Sequence, residues 1–154
     1  MDTDFKEHEL SERIIGAAIE VHRVIGPGLK EEVYESALAV ELGLRGMSCR
    51  RQVPIRCSYK GVNIDERRHP KAMDILVENS VIVECKAVAT AKDPLFKAQC
   101  LTYLRMTGKR LGLVVNFGRP TLVEGLVRVI NQTSSSTHPV TCLREAATPP
   151  EKHV

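Results

Sequence analysis

A chain of 154 residues, 43 % hydrophobic and 27 % charged, has the composition of one soluble globular domain with enough apolar side chain to bury a core. No apolar run reaches the roughly 18–20 residues of a bilayer span, and the charged residues 1–13 lack the apolar stretch of a secretory signal, so a membrane partner is not expected. A formal net charge of +3 fits a polyanionic partner without requiring one; the scattered Cys49, Cys57, Cys85, Cys100 and Cys142, with no Cys-x-x-Cys pair, argue against structural zinc or a disulfide framework and for reduced thiols in the cytoplasm.

Residues 7–25 carry Leu10, Ile14, Ile15, Ala18, Val21, Val24 and Ile25 at spacings of three and four, which predicts an amphipathic helix with Ser11 as its N-cap. Gly26-Pro27-Gly28 ends it. A second helix over 30–44 should bury Val33, Leu38 and Leu42 and stop near Gly43 or Gly46. In residues 49–60 the period changes: Val53, Ile55, Cys57 and Tyr59 alternate with polar residues, a half-exposed strand whose Pro54 points to a sheet edge or a bulge. Lys60-Gly61 turns into a short strand at 62–64, and 65–71 reads as a charged loop.

Two short β-branched runs follow, Ile75-Leu76-Val77 and Val81-Ile82-Val83, separated by Glu78-Asn79-Ser80. They predict a hairpin within residues 73–88. Asp93-Pro94 is an N-cap followed by a first-turn proline, opening a helix with Leu95, Phe96, Ala98, Leu101, Tyr103 and Leu104 that stops at Gly108. A buried strand at 111–117 and a final amphipathic helix at 121–130 complete the pattern. Residues 1–131 are thus expected to form the domain, and the Ser-, Thr- and Pro-rich 132–154 a disordered tail. The element order implies an α/β fold, a mixed β-sheet flanked by helices, with the hairpin feeding a crossover helix to the 111–117 strand.

The chemistry concentrates at one end of the hairpin. Asp74 precedes its first apolar run, and Glu84 and Lys86 close the second. Glu84 and Lys86 share a face because side chains alternate along a strand. Asp74 joins them only if the loop has three residues, which sets Asp74 opposite Glu84 with Cβ atoms about 4.5–5.5 Å apart. A two-residue loop would send it to the other face. Carboxylates that close repel unless a cation lies between them, and their oxygen ligands suit Mg²⁺ or Mn²⁺. Such an ion would acidify a water for phosphodiester hydrolysis, with Lys86 orienting the nucleophile and countering the charge that develops. The plainer alternative is that charged strand ends serve solubility and Glu84-x-Lys86 is a routine ion pair.

The chain resembles the PD-(D/E)XK nuclease superfamily in carrying Asp74 followed by Glu84-Cys85-Lys86. More narrowly it is similar to the GxxExxY proteins, whose motif reads Gly28-Leu29-Lys30-Glu31-Glu32-Val33-Tyr34. Ala18-Ile19-Glu20-Val21-His22-Arg23, Gly26-Pro27-Gly28 and Gly112-Leu113-Val114-Val115-Asn116-Phe117 match as well, extending the likeness over residues 10–130. The resemblance implies a restriction-endonuclease-like core and Mg²⁺-dependent hydrolysis of nucleic acid, DNA before RNA. It implies Asp74 and Glu84 as metal ligands, Glu31 as a third acid approaching the metal or its water, and Lys86 as the catalytic lysine. Gln99 and Tyr103 match a Q-x-x-x-Y helix motif and would position substrate or hold Lys86. Relatives often carry Arg where this chain has Ala72, a departure that bears on phosphate binding.

Other features have plain readings. Gly28 reads as a loop glycine, Tyr34 as a partly buried aromatic, and His22 as a core or helix-end histidine, while His69 is placed to touch substrate by position alone. Arg45, Arg50, Arg51, Arg56, Lys60, Arg67, Arg68 and Lys71 make a basic middle that suits phosphate or simply water. The rival to a nuclease is a nuclease-fold module that binds nucleic acid or a protein partner with little turnover. A self-associating homodimer using the 49–59 strand as an edge is a third reading.

Overall fold

The computed structural model describes residues 2–65, 71–90, 93–132 and 140–142. Helix α1 (Thr3–Ile25) begins a turn earlier than its apolar period suggests, because Asp2 caps it by accepting from Asp4 N. Ser11, the expected cap, is instead buried within the helix and donates from Oγ to His8 O at 2.8 Å. Helix α2 (Glu31–Leu44) follows a tight loop in which Gly26 and Gly28 take left-handed φ angles of 72° and 112°. Leu38 and Leu42 face inward as expected, but Val33 is exposed and Tyr34 takes the inward position beside it.

Strands β1 (Cys49–Pro54), β2 (Cys57–Tyr59), β3 (Val62–Asn63), β4 (Ala72–Val77) and β5 (Val81–Lys86) follow. Helix α3 (Pro94–Thr107), capped by Asp93 and ended by Gly108 as predicted, crosses over to β6 (Leu111–Asn116). The main sheet has the order β1-β4-β5-β6-β7, its last strand being β7 (Leu126–Ile130), with only β5 and β6 parallel. It is the mixed, helix-flanked sheet that the element order implied. On one side α1 and α2 cover it with Ile14, Ala17, Val21, Tyr34 and Leu38 against Val77, Val81, Val83 and Val115. On the other, Cys100, Tyr103 and Leu104 of α3 pack against Leu76, Ile82 and Val114.

Three expectations need correction. Residues 121–130 are no helix: a 3-10 turn at Val123–Gly125 leads into β7 (Leu126–Ile130), antiparallel to β6. The β-branched residues Val127, Val129 and Ile130 suit a strand, and without β7 the edge of β6 would be unpaired. Gly125 marks the junction, since a Cβ there would lie 2.3 Å from Asn116 O. The 49–60 strand is divided: β1 ends at Pro54 on the sheet edge, while β2 joins a separate sheet of order β3-β2-β8. The third strand, β8 (Val140–Cys142), pairs antiparallel with β2 inside the segment expected to be a disordered tail. The rest of that tail beyond residue 132, and Arg67, Arg68 and His69, lie outside the described residues.

The loop between α1 and α2 is fastened from below. Tyr34 is wholly buried, its ring stacked on Phe117 at 4.7 Å and 4°. Its hydroxyl donates to Gly26 O at 2.5 Å and accepts from Leu29 N at 3.2 Å, which fixes the entry into α2 and so the position of Glu31. His22 is a core residue, bonded through Nε2 to Arg119 O at 2.9 Å. Replacing Tyr34 by Phe keeps the stack and leaves Gly26 O without its donor. Urea unfolding of Tyr34→Phe should therefore show a loss of about 1–3 kcal/mol; an unchanged midpoint would mean that the hydroxyl does not hold the loop.

Candidate metal centre

The hairpin turn decides the geometry. Glu78 and Asn79 have φ angles of 51° and 53°, and Ser80 N donates to Val77 O at 2.9 Å, a tight turn with two left-handed residues. Val77 pairs with Val81, so the loop has three residues and the register sets Asp74 opposite Glu84. The ladder between β4 and β5 stops at Ile75 and Val83. Beyond it, side chains bridge the strands: Asp74 N donates to Glu84 Oε1 at 3.3 Å and Cys85 N to Asp74 Oδ2 at 2.8 Å.

The ladder between β1 and β4 is interrupted at the same level. Arg51 pairs with Ile75 and Val53 with Met73, leaving Gln52 facing Asp74 without a backbone pair, at a φ of 48°. The faces of both strands change over there. Arg51 reaches α2 and Ile75 packs in the core beneath α1 and α2, whereas Val53 and Met73 belong to the core beneath α3. Asp74 thus sits at a twist in the sheet where groups from both helical layers can meet.

From the α3 side comes Lys86, whose Nζ donates to Gln99 Oε1 at 2.9 Å and lies 4.9 Å from the centre of the Phe96 ring. Gln99 Nε2 in turn donates to Tyr103 Oη at 3.2 Å, so the expected Gln99–Tyr103 pair holds the lysine. The segment after Lys86 is clamped by buried Asn116, which accepts from Val88 N at 3.0 Å and donates to Val88 O at 3.0 Å and Thr90 O at 2.9 Å. From the α2 side comes Glu31, in electrostatic range of Lys86, Asp74 and Glu35. Burial, with the negative charges of Asp74 and Glu35, raises its pKa against the pull of Lys86.

Two contributors were not foreseen. Glu35, buried one turn after Glu31, accepts from Arg51 Nε at 3.2 Å and from Gln52 Nε2 at 3.1 and 3.0 Å. Gln52 Nε2 also donates to Asp74 Oδ1 at 3.3 Å. The Glu31–Glu35 spacing of four was a visible sign that both acids share a helix face. Nothing in the alternation of β1 announced Gln52, because the twist that brings its amide to Glu35 and Asp74 breaks that alternation while the residue stays exposed.

Glu84 retains only 2 % of its surface. Burial, and then the charge of Asp74, push its pKa up to about 9. Two carboxyls so placed cannot both ionise cheaply without a cation, and their oxygens are the donors that Mg²⁺ or Mn²⁺ prefer. The pair fits a hydrated divalent ion that keeps several waters. It is not a closed cage: among the described residues no three His, Cys, Asp or Glu side chains gather at metal-binding spacing, so Glu31 stands back from the pair. Cys85 points to the opposite core, and its thiol is raised well above the ordinary range by burial.

A family model for the PD-(D/E)XK nuclease superfamily matches residues 8–129. No curated protein and no solved structure matches the chain.

The raised Glu84 has a consequence for stability. Its pKa is about 9 in the folded chain against an ordinary 4.5, so folding retains a proton that the unfolded chain releases between those values. The associated stabilisation is complete below about 4.5, declines as pH rises and is gone above about 9. In the presence of a chelator, the melting temperature should fall from pH 5 to pH 9, and Glu84→Gln should flatten that fall. Parallel pH profiles for the two proteins would show that Glu84 is not the group responsible.

Proposed function

This chain belongs to the PD-(D/E)XK nuclease superfamily, and on that premise we propose that it hydrolyses nucleic-acid phosphodiesters using Mg²⁺ or Mn²⁺ at Asp74 and Glu84. The observation that carries this reading is the carboxyl pair set into the opened β4–β5 ladder, with Lys86 two residues beyond Glu84. Charge is concentrated there at the expense of regular pairing and of solvation, an arrangement that stability alone does not favour.

The ion, when bound, supplies Lewis acidity toward phosphate and acidifies an attacking water. Asp74 and Glu84 hold it from the sheet. Lys86 orients the nucleophile and offsets negative charge on the phosphoryl oxygens, and its ammonium is aimed by Gln99, itself held by Tyr103. Glu31, at the start of α2 and within electrostatic range of Asp74 and Lys86, would face the attacking water from outside the sheet. A cavity of about 340 Å³ opens at the end of β1 and three residues before Asp74; its wall is largely apolar but carries Arg56 and Lys71 beside Asp65, and these two cations are the candidates for phosphate contact where Ala72 offers none. Of the other basic residues, Arg51 is paired with Glu35 and Arg45 with Glu41, so they are poorer candidates for that role.

The residues of the narrower GxxExxY likeness have local roles whether or not that likeness holds. Gly28 shapes the loop, Tyr34 fastens it, and Glu31 follows within electrostatic range of Asp74 and Lys86. DNA is favoured over RNA by that resemblance.

Cleavage of a panel of single- and double-stranded DNA and RNA tests the proposal. Activity should require Mg²⁺ or Mn²⁺, disappear with chelator, and drop by at least about 100-fold in Lys86→Ala. Metal-dependent binding of the same panel without cutting would favour the non-catalytic module. Cutting that survives chelation or the lysine substitution would exclude the mechanism.

A further inference from the structure

We propose that Gln52 is a positioning residue that fixes the carboxyl of Asp74 for metal binding, an inference that rests on the nuclease reading above. Three carboxyl oxygens surround its amide nitrogen: Glu35 Oε1 at 3.1 Å, Glu35 Oε2 at 3.0 Å and Asp74 Oδ1 at 3.3 Å. An amide oxygen in that place would face only acceptors, so the nitrogen must be the atom that faces the two acids. Its two hydrogens divide between the acids, one shared by the two oxygens of Glu35 and one given to Asp74.

Cys85 N already holds Asp74 Oδ2, so Gln52 is what fixes the second oxygen. The chemistry of the amide matters here. A lysine or arginine would neutralise Asp74 and compete with the incoming cation, whereas a neutral donor orients the carboxyl and leaves its charge available. The backbone pays no regard to ordinary preference at this point, for Gln52 is a non-glycine residue at a φ of 48°. That conformation takes it out of the strand's alternation and turns its side chain toward Asp74.

The competing explanation is that Gln52 merely staples the edge strand to α2. The structure supplies that staple separately, since Arg51 binds Glu35 at 3.2 Å and Ser36 Oγ at 2.9 Å. The Gln52–Asp74 bond adds nothing to it.

Mn²⁺ titration followed by melting temperature distinguishes these roles without depending on catalysis. Four variants accompany the wild type: Gln52→Leu, Gln52→Asn, Ser36→Ala and Glu84→Ala. Asparagine tolerates left-handed backbone, so Gln52→Asn keeps the local conformation while its shorter amide cannot span both acids. Both Gln52 variants should raise the half-saturating Mn²⁺ concentration by roughly 10- to 100-fold, and Ser36→Ala should leave it at the wild-type value. A wild-type midpoint in Gln52→Asn, or an equal shift in Ser36→Ala, overturns the inference while the nuclease reading stands. If the wild type shows no Mn²⁺-dependent rise that Glu84→Ala removes, the metal site itself fails and the role of Gln52 falls with it.

Discussion

The central constraint on this molecule is a gap in backbone pairing around one residue. Asp74 lies in a strand flanked on both sides, yet it is paired with neither Gln52 across β1 nor Glu84 across β5. A buried backbone group without a partner is costly. Here the vacant ladder positions are taken over by carboxyl oxygens, with Asp74 N donating to Glu84 and Cys85 N to Asp74. Acidic side chains have become part of the sheet's hydrogen bonding. Their placement is thereby tied to the fold rather than left to rotamer freedom, which is what a preorganised site requires.

The change of face at that level explains why the site can recruit from two layers. In an unbroken strand, Asp74 would be confined to the α3 side with Leu76. Because β1 and β4 turn over between Arg51–Ile75 and Val53–Met73, the carboxyl meets Gln52, and through its amide Glu35, from the α2 side as well as the Glu84 and Lys86 strand. The loop clasp made by Tyr34 serves the same end, since it determines where α2 begins and hence where Glu31 stands. Fold and site are joined through a few side chains of this kind, Asn116 among them.

Much of this could be read from residues alone, and the reasons for success and failure are physical. The hairpin was legible because β-branched runs and a short polar turn admit few alternatives, and the three-residue loop then fixed the register of Asp74 and Glu84. Asp93-Pro94 and Gly108 marked both ends of α3 by chemistry that acts locally. The segment 121–130 was misread because its apolar residues satisfy a helical period as readily as a strand; what decides for a strand is the waiting edge of β6, a partner distant in sequence. Val33 and Tyr34 were ambiguous for a similar reason, as neighbours on a helix compete for the inward position and only the stack on Phe117 settles it. Gln52 eluded the sequence because it depends on a twist that no local signal encodes, whereas Glu35 was within reach of its spacing of four from Glu31.

Electrostatics links these observations to function. The folded chain holds Glu84 in a place where a proton can take the part of a cation, and burial makes one or the other necessary. In the proposed nuclease, proton and divalent ion would compete for the same oxygens, so that metal affinity would rise with pH just as the stability of the metal-free chain declines. Lys86 relieves this tension only in part: its pull on Glu84 is outweighed by burial and the charge of Asp74, and its ammonium is drawn toward Gln99 and the Phe96 ring. A lysine that neutralised the acids would stabilise the chain and close the site to an ion. Held to the side by Gln99, it leaves the acids short of positive charge and, in the proposed mechanism, would meet a phosphate that arrives with the metal.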